Sequence, residues 1–441
     1  MKNKIKKIIL LFGDLVFLHL SLLLTLLIRY KPEQLNTEWN NHLPKFVFVF
    51  FVFLVSLYIN NFYNLNLEVK GRKFIKRLGM TILFSSFFSI IYFYLATEQT
   101  ITPKTNLILF YLFFSLLLII WRYLFRISNN SFSKKQGVAI IGNNEKSNNI
   151  LKLIRLNPGH GYEASLLVKN VDDIYYLPKL IIEKNIKNVV ICDDFNLGKE
   201  IRKILFSCFE LNVNFFSYPD FYEHISGKIP VEEIDVNWFL DNLKEGEKSY
   251  FNSFKNIFDY FFSAVLLLIT LPFWPIIAIM IKIESYGPVF FKQKRMGLKG
   301  KTFVMIKFRT MTESENDGTM TVEGDIRITK LGNILRKTRL DEIPQLLNII
   351  RGEMSFIGPR PERPEFIEDL EKEVPFYNTR LLVKPGLSGW DQVSGEYHSA
   401  SSEDTLKKLQ NDLFYIKNRS LYLDTIIILK TISAILNRAG R

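Results

Sequence analysis

The chain has 441 residues, 48% of them hydrophobic and 14% aromatic, with 57 Lys and Arg against 44 Asp and Glu, a formal charge of +13. This composition excludes a disordered or collagen-like chain, the length predicts two to four domains, and the 39 Phe argue against a purely soluble protein. The positive excess fits nucleic acid, an anionic membrane surface or a phosphorylated substrate, and its placement decides among them.

Four apolar stretches open the chain, at 8–28, 46–59, 78–95 and 107–125, each approaching the roughly 20 residues a helix needs to cross a bilayer. The first runs too long for a cleaved signal peptide and reads as a retained span. Lys2, Lys4, Lys6 and Lys7 precede it, Lys70, Arg72, Lys73, Lys76 and Arg77 separate the second stretch from the third, and Arg126, Lys134 and Lys135 follow the fourth. The positive-inside bias puts these in the cytoplasm, so everything after about residue 128 is expected to face cytosol. The transmembrane region is therefore 1–128.

From residue 137 strand and helix patterns alternate: GVAII, YEASLLV, NVVIC and NVNFFSY with helical stretches between. This predicts a Rossmann-like parallel α/β unit over 129–226. The turn after its first strand, Gly142-Asn143-Asn144-Glu145-Lys146-Ser147, lacks the GxGxxG that lets backbone approach a pyrophosphate, so dinucleotide binding is not supported. Tyr175 and Lys179 have YxxxK spacing, but Pro178 interrupts them and they read as a chance match. A spacer, a dimerising unit and a ligand sensor all remain open. Cys192 and Cys208 are the only cysteines and imply neither a disulfide framework nor a metal site.

Residues 227–250 read as a linker. The apolar stretch 256–281 follows, with Pro272 and Pro275 inside it, which predicts a break. Its halves, 257–271 and 273–281, reach at most about 22 Å and 14 Å at 1.5 Å per residue, short of a roughly 30 Å hydrocarbon core. With Lys255 before it and Lys282 after it, a re-entrant hairpin is expected; a kinked fifth span is the alternative, which would send the rest of the chain outside.

The remainder carries the chemistry: PVFFKQKRMG (288–297), KFRTM (307–311), RLDEIPQL (339–346), GPRPE (358–362) and KPGLSGWDQVSG (384–395). On a helix Asp341 and Glu342 point about 100° apart, so one carboxylate can face a reacting phosphorus while the other holds a metal. Mg²⁺ takes one or two carboxylates plus phosphate oxygens, and an Asp carboxylate can form an acyl phosphate. An isolated DE pair is usually a solvated helix start, but Lys292, Lys294, Arg295, Lys307, Arg309, Arg336 and Arg339 precede this one, and Arg360 sits between Pro359 and Pro361. Such an Arg can grip phosphate oxygens bidentately; for Lys292, Lys294 and Arg295 an anionic-lipid role is as good a reading. The histidines show no HxxH or HExxH spacing, so zinc is not indicated.

These motifs, with DIRITKLGNILRKT before the acidic pair and NDLFYIKNRSLYLD near the end, closely resemble the bacterial sugar transferase family. These are polyprenyl-phosphate hexose-1-phosphate transferases that initiate exopolysaccharide, O-antigen and glycoprotein glycan assembly. The resemblance covers about 251–436 and looks like the long form of the family. It implies a membrane protein of α and α/β class: four transmembrane helices, an accessory Rossmann-like domain, and a mainly helical monotopic catalytic domain at 251–441 with its re-entrant helix at 256–281. It implies that Asp341 attacks a UDP-sugar, UMP leaves, and undecaprenyl phosphate takes the sugar phosphate from the aspartyl intermediate. Glu342 matches the Mg²⁺ ligand. Lys307, Arg336 and Arg360 match cationic positions around the phosphates, Pro359 and Pro361 complete the loop, and Arg309 joins the candidate substrate-binding set. The chain departs from many relatives at Lys384-Pro385-Gly386, where Arg-Pro-Gly is usual, and at Asp391, where a small residue is common.

The resemblance further implies the bacterial cytoplasmic membrane, contact with membrane lipids, and a homodimer. A membrane-tethered UDP-sugar dehydratase or epimerase is opposed by the missing glycine fingerprint, and a non-catalytic scaffold or sensor would leave the acidic pair merely solvated. Nucleic acid is not an expected partner, because the cations divide between membrane-flanking loops and the phosphate-type motifs. No residue pattern identifies the sugar. The last helix, with Leu421, Ile428, Leu429, Ile432, Ile435 and Leu436 on one face, is expected either along the membrane surface or packed on the catalytic domain.

Overall fold

The computed structural model describes residues 2–65, 69, 71–95, 103–132, 135–192, 199–312, 325–394 and 402–436; Lys70, Lys134 and the final Gly395 of the 384–395 motif lie outside them. The chain forms two compact units, 1–218 and 219–441.

The first unit begins with α1 (Lys2–Arg29), α2 (Leu35–Ile59), α3 (Arg72–Leu95) and α4 (Pro103–Phe132), each long and apolar enough to cross a membrane. Leu18, Leu22 and Leu26 recur every fourth residue and so form one buried stripe on α1; they meet Phe46, Phe50 and Phe53 of α2 and Phe110 and Phe114 of α4. The rings interlock edge to face, Phe53 against Phe114 at 4.6 Å and Phe46 against Phe110 at 5.3 Å. Phe12, Phe51, Leu83 and Ile108 point outward, so the apolar surface wraps both faces of the helices, as lipid-facing spans require. Inside, Arg122 donates to Asp14 at 2.8 Å, a pair hidden between α1 and α4.

The α/β part runs β1 (Gln136–Ile141), α5 (Glu145–Leu156), β2 (Tyr162–Val168), α6 (Leu177–Glu183), β3 (Ile186–Ile191), α7 (Lys199–Ser207) and β4 (Asn214–Ser217). Its four strands are all parallel in the order β2-β1-β3-β4. The near-continuous apolar run of β1 is buried, as a strand covered on both faces must be. At the crossover between β1 and β3, Asn144 caps α5. Its Oδ1 accepts the Ser147 N–H at 3.0 Å and its Nδ2 donates to the Cys192 carbonyl at 2.7 Å. Tyr175 donates to Glu200, and Lys179 faces Glu183 on the surface, so the YxxxK pair is engaged elsewhere.

The second unit takes in α8 (Tyr218–Ser226) from its second residue, α9 (Val236–Asn242), α10 (Ser249–Thr270), α11 (Trp274–Glu284), the hairpin β5 (Phe290–Met296) and β6 (Thr302–Phe308), α12 (Lys330–Thr338) and α13 (Leu346–Ile350). After these come β7 (Ser355–Ile357), α14 (Pro364–Glu373), β8 (Gly386–Ser388), α15 (Trp390–Val393), α16 (Ser402–Asn418) and α17 (Leu421–Leu436), with β7 and β8 parallel. The stretch expected as a linker is part of its core. Ile229, Val231 and Ile234 pack with Leu409, Leu413 and Ile416 of α16 and with Ile427 of α17, and Ile229 N–H donates to the Gln410 carbonyl. Pro230, Glu232 and Glu233 mask this apolar spacing in the sequence. Residues 219–226, expected in the α/β unit, also belong here, with Glu223 bonded to Lys417 and Asn418.

The proline break falls where expected: a 3₁₀ turn at Leu271–Phe273 separates α10 from α11. Leu267 before it packs against Phe303, Met305 and Ile349, while Trp274 and Ile277 after it pack against Phe308 and Leu335. Both halves thus rest on strand β6. Helix α17 packs on β7, β8 and α15, with Leu423 and Ile427 buried and Leu421 and Tyr422 outward, so its core-facing stripe is offset from the one expected.

Candidate active site

The acidic pair is presented by a chain reversal. Thr329 caps α12 by accepting the Gly332 N–H at 2.9 Å, and Gly332 lies so close to the Thr310 carbonyl that a Cβ would stand 2.1 Å from its oxygen. Helix α12 ends at Arg339, whose φ of 56° turns the chain into the 3₁₀ segment Leu340–Gln345. In that tighter winding successive residues diverge by about 120°, so Asp341 and Glu342 face different directions, both at 8% exposure.

Strand β6 brings Lys307 against this segment, and Asn348 holds the two together. Its Oδ1 accepts the Ile306 N–H at 3.2 Å and its Nδ2 donates to the Val304 carbonyl at 2.7 Å. Sequence reading passed over Asn348; the available signal was a lone amide inside the apolar run LLNII.

The electrostatics of the pair follow from this burial. The Asp341 carboxyl is pushed up to about 6, first by burial and then by the neighbouring Glu342 charge, against the pull of Lys307 and Arg336. Lys307 is brought down to about 8 by burial and by Arg360, with both carboxylates opposing. Arg360 and Arg339 each stand 3.5 Å from a different oxygen of Glu342, and the Arg336 Nη1 is buried without a hydrogen-bond partner. Four candidate cations, Lys307, Arg336, Arg339 and Arg360, therefore gather around Asp341 and Glu342.

Arg360, half exposed, comes from the 358–362 loop, which lies against the 384–388 loop. Gly386 N–H donates to the Pro359 carbonyl and Gly358 N–H to the Ser388 carbonyl, both at 2.9 Å. A Cβ on Gly358 would meet the Lys384 carbonyl at 2.3 Å, so this approach requires glycine. Lys384 itself donates to Asn256 of α10 at 2.8 Å, and Asp391 accepts from Asn411 at 3.0 Å, so the two departures from the usual motif have their own partners.

The other cations lie apart from the cluster or act differently. Arg309 donates to the Ser285 and Tyr286 carbonyls at 2.8 and 2.7 Å, stapling the exit of α11 to the end of β6. Lys292 and Lys294 are exposed on β5. Arg295 turns inward to the Pro361 carbonyl at 3.0 Å.

Among the described residues no group of three or more His, Cys, Asp or Glu could hold a metal. The donor set nevertheless fits Mg²⁺, which uses one or two carboxylates and takes its remaining oxygens from phosphate and water. Two adjacent buried carboxylates raise the Asp341 pKa, a cost that a divalent cation relieves. The 3.5 Å separations at Glu342 exceed the roughly 2.7–2.9 Å of a charge-assisted hydrogen bond and leave its lone pairs available.

Residues 250–438 match the family model described as bacterial sugar transferase. The chain is 36% identical over 249 residues to the UDP-N-acetylgalactosamine-undecaprenyl-phosphate N-acetylgalactosaminephosphotransferase of Aeromonas hydrophila, covering 56% of this chain and 58% of that protein. It is 39% identical over 204 residues to the UDP-glucose:undecaprenyl-phosphate glucose-1-phosphate transferase of Xanthomonas campestris pv. campestris, covering 45% and 42%. It is 37% identical over 185 residues to the UDP-glucose:undecaprenyl-phosphate glucose-1-phosphate transferase of Caulobacter vibrioides, covering 41% of this chain and 69% of that protein. The match thus spans about half the length of the first two relatives.

Proposed function

This chain belongs to the bacterial sugar transferase family, and on that premise we propose that it moves a sugar-1-phosphate from a UDP-sugar to undecaprenyl phosphate, releasing UMP. The observation that carries this reading is the buried Asp341–Glu342 pair ringed by Lys307, Arg336, Arg339 and Arg360. A carboxylate poised near neutrality among phosphate-binding cations suits attack on phosphorus better than structural pairing.

In this reading the ionised Asp341 oxygen bonds to the sugar-bearing phosphorus, and the bond from that phosphorus to UMP breaks, UMP keeping the electron pair. A phosphate oxygen of undecaprenyl phosphate then bonds to the same phosphorus and frees the Asp341 carboxylate, leaving undecaprenyl-diphosphate-sugar. Lys307, Arg336 and Arg360 hold the equatorial oxygens, on which charge is spread during transfer. Glu342 is the residue that would hold Mg²⁺, which when bound supplies neutralisation of diphosphate charge. Arg309 serves from outside the cluster by fixing β6 to the end of α11.

The same reading places α1 to α4 across the bacterial cytoplasmic membrane and the second unit on its cytoplasmic face. Support for a re-entrant hairpin comes from α10 and α11 resting on one strand, with Leu268, Phe273 and Ile276 outward at the break. Lys255 pairs with Asp424, and Glu284 accepts the Leu331 N–H, so both ends of the apolar stretch are tied to the same unit.

The test is UMP release by the purified chain in lipid with Mg²⁺, undecaprenyl phosphate and a panel of UDP-sugars, beside Asp341→Asn. Acceptor-dependent UMP from one sugar, lost in the variant, supports the reaction and names the donor. Undiminished release by Asp341→Asn removes Asp341 as nucleophile, and no release from any sugar removes the reaction for those donors.

A further inference from the structure

Four consecutive carbonyls, from Pro359 to Glu362, each accept a hydrogen bond from outside the loop: one from the 384–388 loop, one from Arg380 and two from neighbouring residues of β5. Gly386 N–H holds Pro359 at 2.9 Å, Arg380 Nη2 holds Arg360 at 3.0 Å, Arg295 Nη1 holds Pro361 at 3.0 Å, and Met296 N–H holds Glu362 at 2.9 Å. Pro359 and Pro361 have no N–H with which to close a local turn, so the shape of this loop is imposed from outside. Two of the four donors are backbone groups that any residue supplies. The other two are arginine side chains.

Arg380 is 5% exposed and firmly held. Beyond the Arg360 carbonyl it donates to Asp412 at 2.8 Å, pairs with Glu362 at 3.6 Å, and meets the Tyr377 hydroxyl and ring. Burying a guanidinium and a carboxylate costs more solvation than packing alone requires, and here the result is a fixed carbonyl on the same residue whose side chain reaches Glu342. We infer that Arg380 and Arg295 are positioning residues: they fix the backbone that aims the Arg360 guanidinium at the phosphate site around Asp341 and Glu342. The inference rests on the transferase reading for what Arg360 binds, and on this geometry alone for how Arg360 is held.

The experiment compares Arg380→Lys and Arg295→Lys, each alone and combined with Arg360→Ala, in the full chain in lipid. Arg380→Lys keeps a cation beside Asp412, but the guanidinium meets the Arg360 carbonyl and Asp412 through Nη2 while its Nη1 stays on the Tyr377 hydroxyl, and one ammonium lacks that second nitrogen. Each substitution is expected to lower kcat/KM for the UDP-sugar about 10- to 100-fold when Arg360 is present, and less than about threefold when it is already Ala. Equal losses in both backgrounds, or no loss in the single variants, overturn the inference. Hydrogen exchange of the Met296 and Gly386 amides, which donate to the Glu362 and Pro359 carbonyls, gives a readout independent of turnover: faster exchange at these amides is expected, and unchanged exchange there overturns the positioning role. If the parent chain releases no UMP while exchange rises as expected, the proposed reaction falls and the positioning role stands. If Arg380→Lys does not fold, Arg295→Lys, which leaves Arg380 and Asp412 intact, decides.

Discussion

Arg360 Nη1 stands 3.5 Å from Glu342 Oε1, so a guanidinium from a proline-flanked loop and a carboxylate from a 3₁₀ turn converge on one site. In the proposed reaction, removing that guanidinium takes a charge from the place where phosphate charge is met. Arg360→Ala is expected to lower kcat/KM for UMP release by about 10²- to 10³-fold. Arg360→Lys recovers part of this, because an ammonium lacks the planar fork. Steady-state UMP release reads both, and an unaffected Arg360→Ala removes Arg360 from the phosphate set.

The pH dependence follows from the two shifted groups. In the proposed reaction Asp341 attacks only when ionised, and without a metal its pKa lies at about 6, so kcat/KM is expected to rise with pH, the acid limb lying below 6 when Mg²⁺ at Glu342 offsets the neighbouring charge. In the same proposed reaction Lys307 neutralises phosphate charge only while protonated, and its pKa lies at about 8, so the rate is expected to fall as pH passes that value. Lys307→Arg keeps its charge throughout and is expected to remove the alkaline fall while leaving the acid limb in place. A pH profile of the parent chain beside this variant checks both limbs.

Asn348 joins strand β6 to the helix that follows the acidic turn. Asn348→Ala leaves the Ile306 N–H unbonded inside the core, a cost of about 1–3 kcal/mol. The melting temperature in lipid or detergent is expected to drop, and UMP release with it, because Lys307 is the next residue on that strand. An unchanged melting temperature contradicts this account.

Ile229, Val231 and Ile234 belong to the core of the second unit, with Trp238, Phe239 and Leu243 packed against it. A fragment starting at Pro219 is expected to be monodisperse in detergent. One starting at Phe251 loses Ile229, Val231 and Ile234, exposes Leu409 and Leu413, and is expected to aggregate. Size-exclusion profiles of the two fragments decide the point.

A re-entrant hairpin keeps both of its ends on one side. Cys192 and Cys208 are buried, so a cysteine at exposed Lys299 is readily distinguished from background. In sealed inside-out vesicles Lys299→Cys is expected to react with an impermeant maleimide, and in right-side-out vesicles not. Replacing Pro272 and Pro275 together with Leu restores backbone donors at the break and is expected to shift part of that labelling to the opposite face.

What the order of residues determines by itself is local. Span length, the break at Pro272, the alternation of strand and helix, and the motifs around Asp341, Glu342 and Arg360 depend on periodicity, missing donors and near neighbours. The relation of the Asp341–Glu342 turn to Lys307 was legible only as a shared cation-rich segment, and Arg309 looked like Lys307 because nothing in KFRTM tells which way each side chain turns. Tertiary structure settled that: Asn348 seats β6 on the turn, and Arg309 is spent on the Ser285 and Tyr286 carbonyls. It also drew 227–250 into the core and recruited Arg380 and Arg295 to the Pro359–Glu362 carbonyls. A hydrogen bond between residues far apart in the chain forms only once burial has closed the distance, and no spacing rule announces which partner it selects.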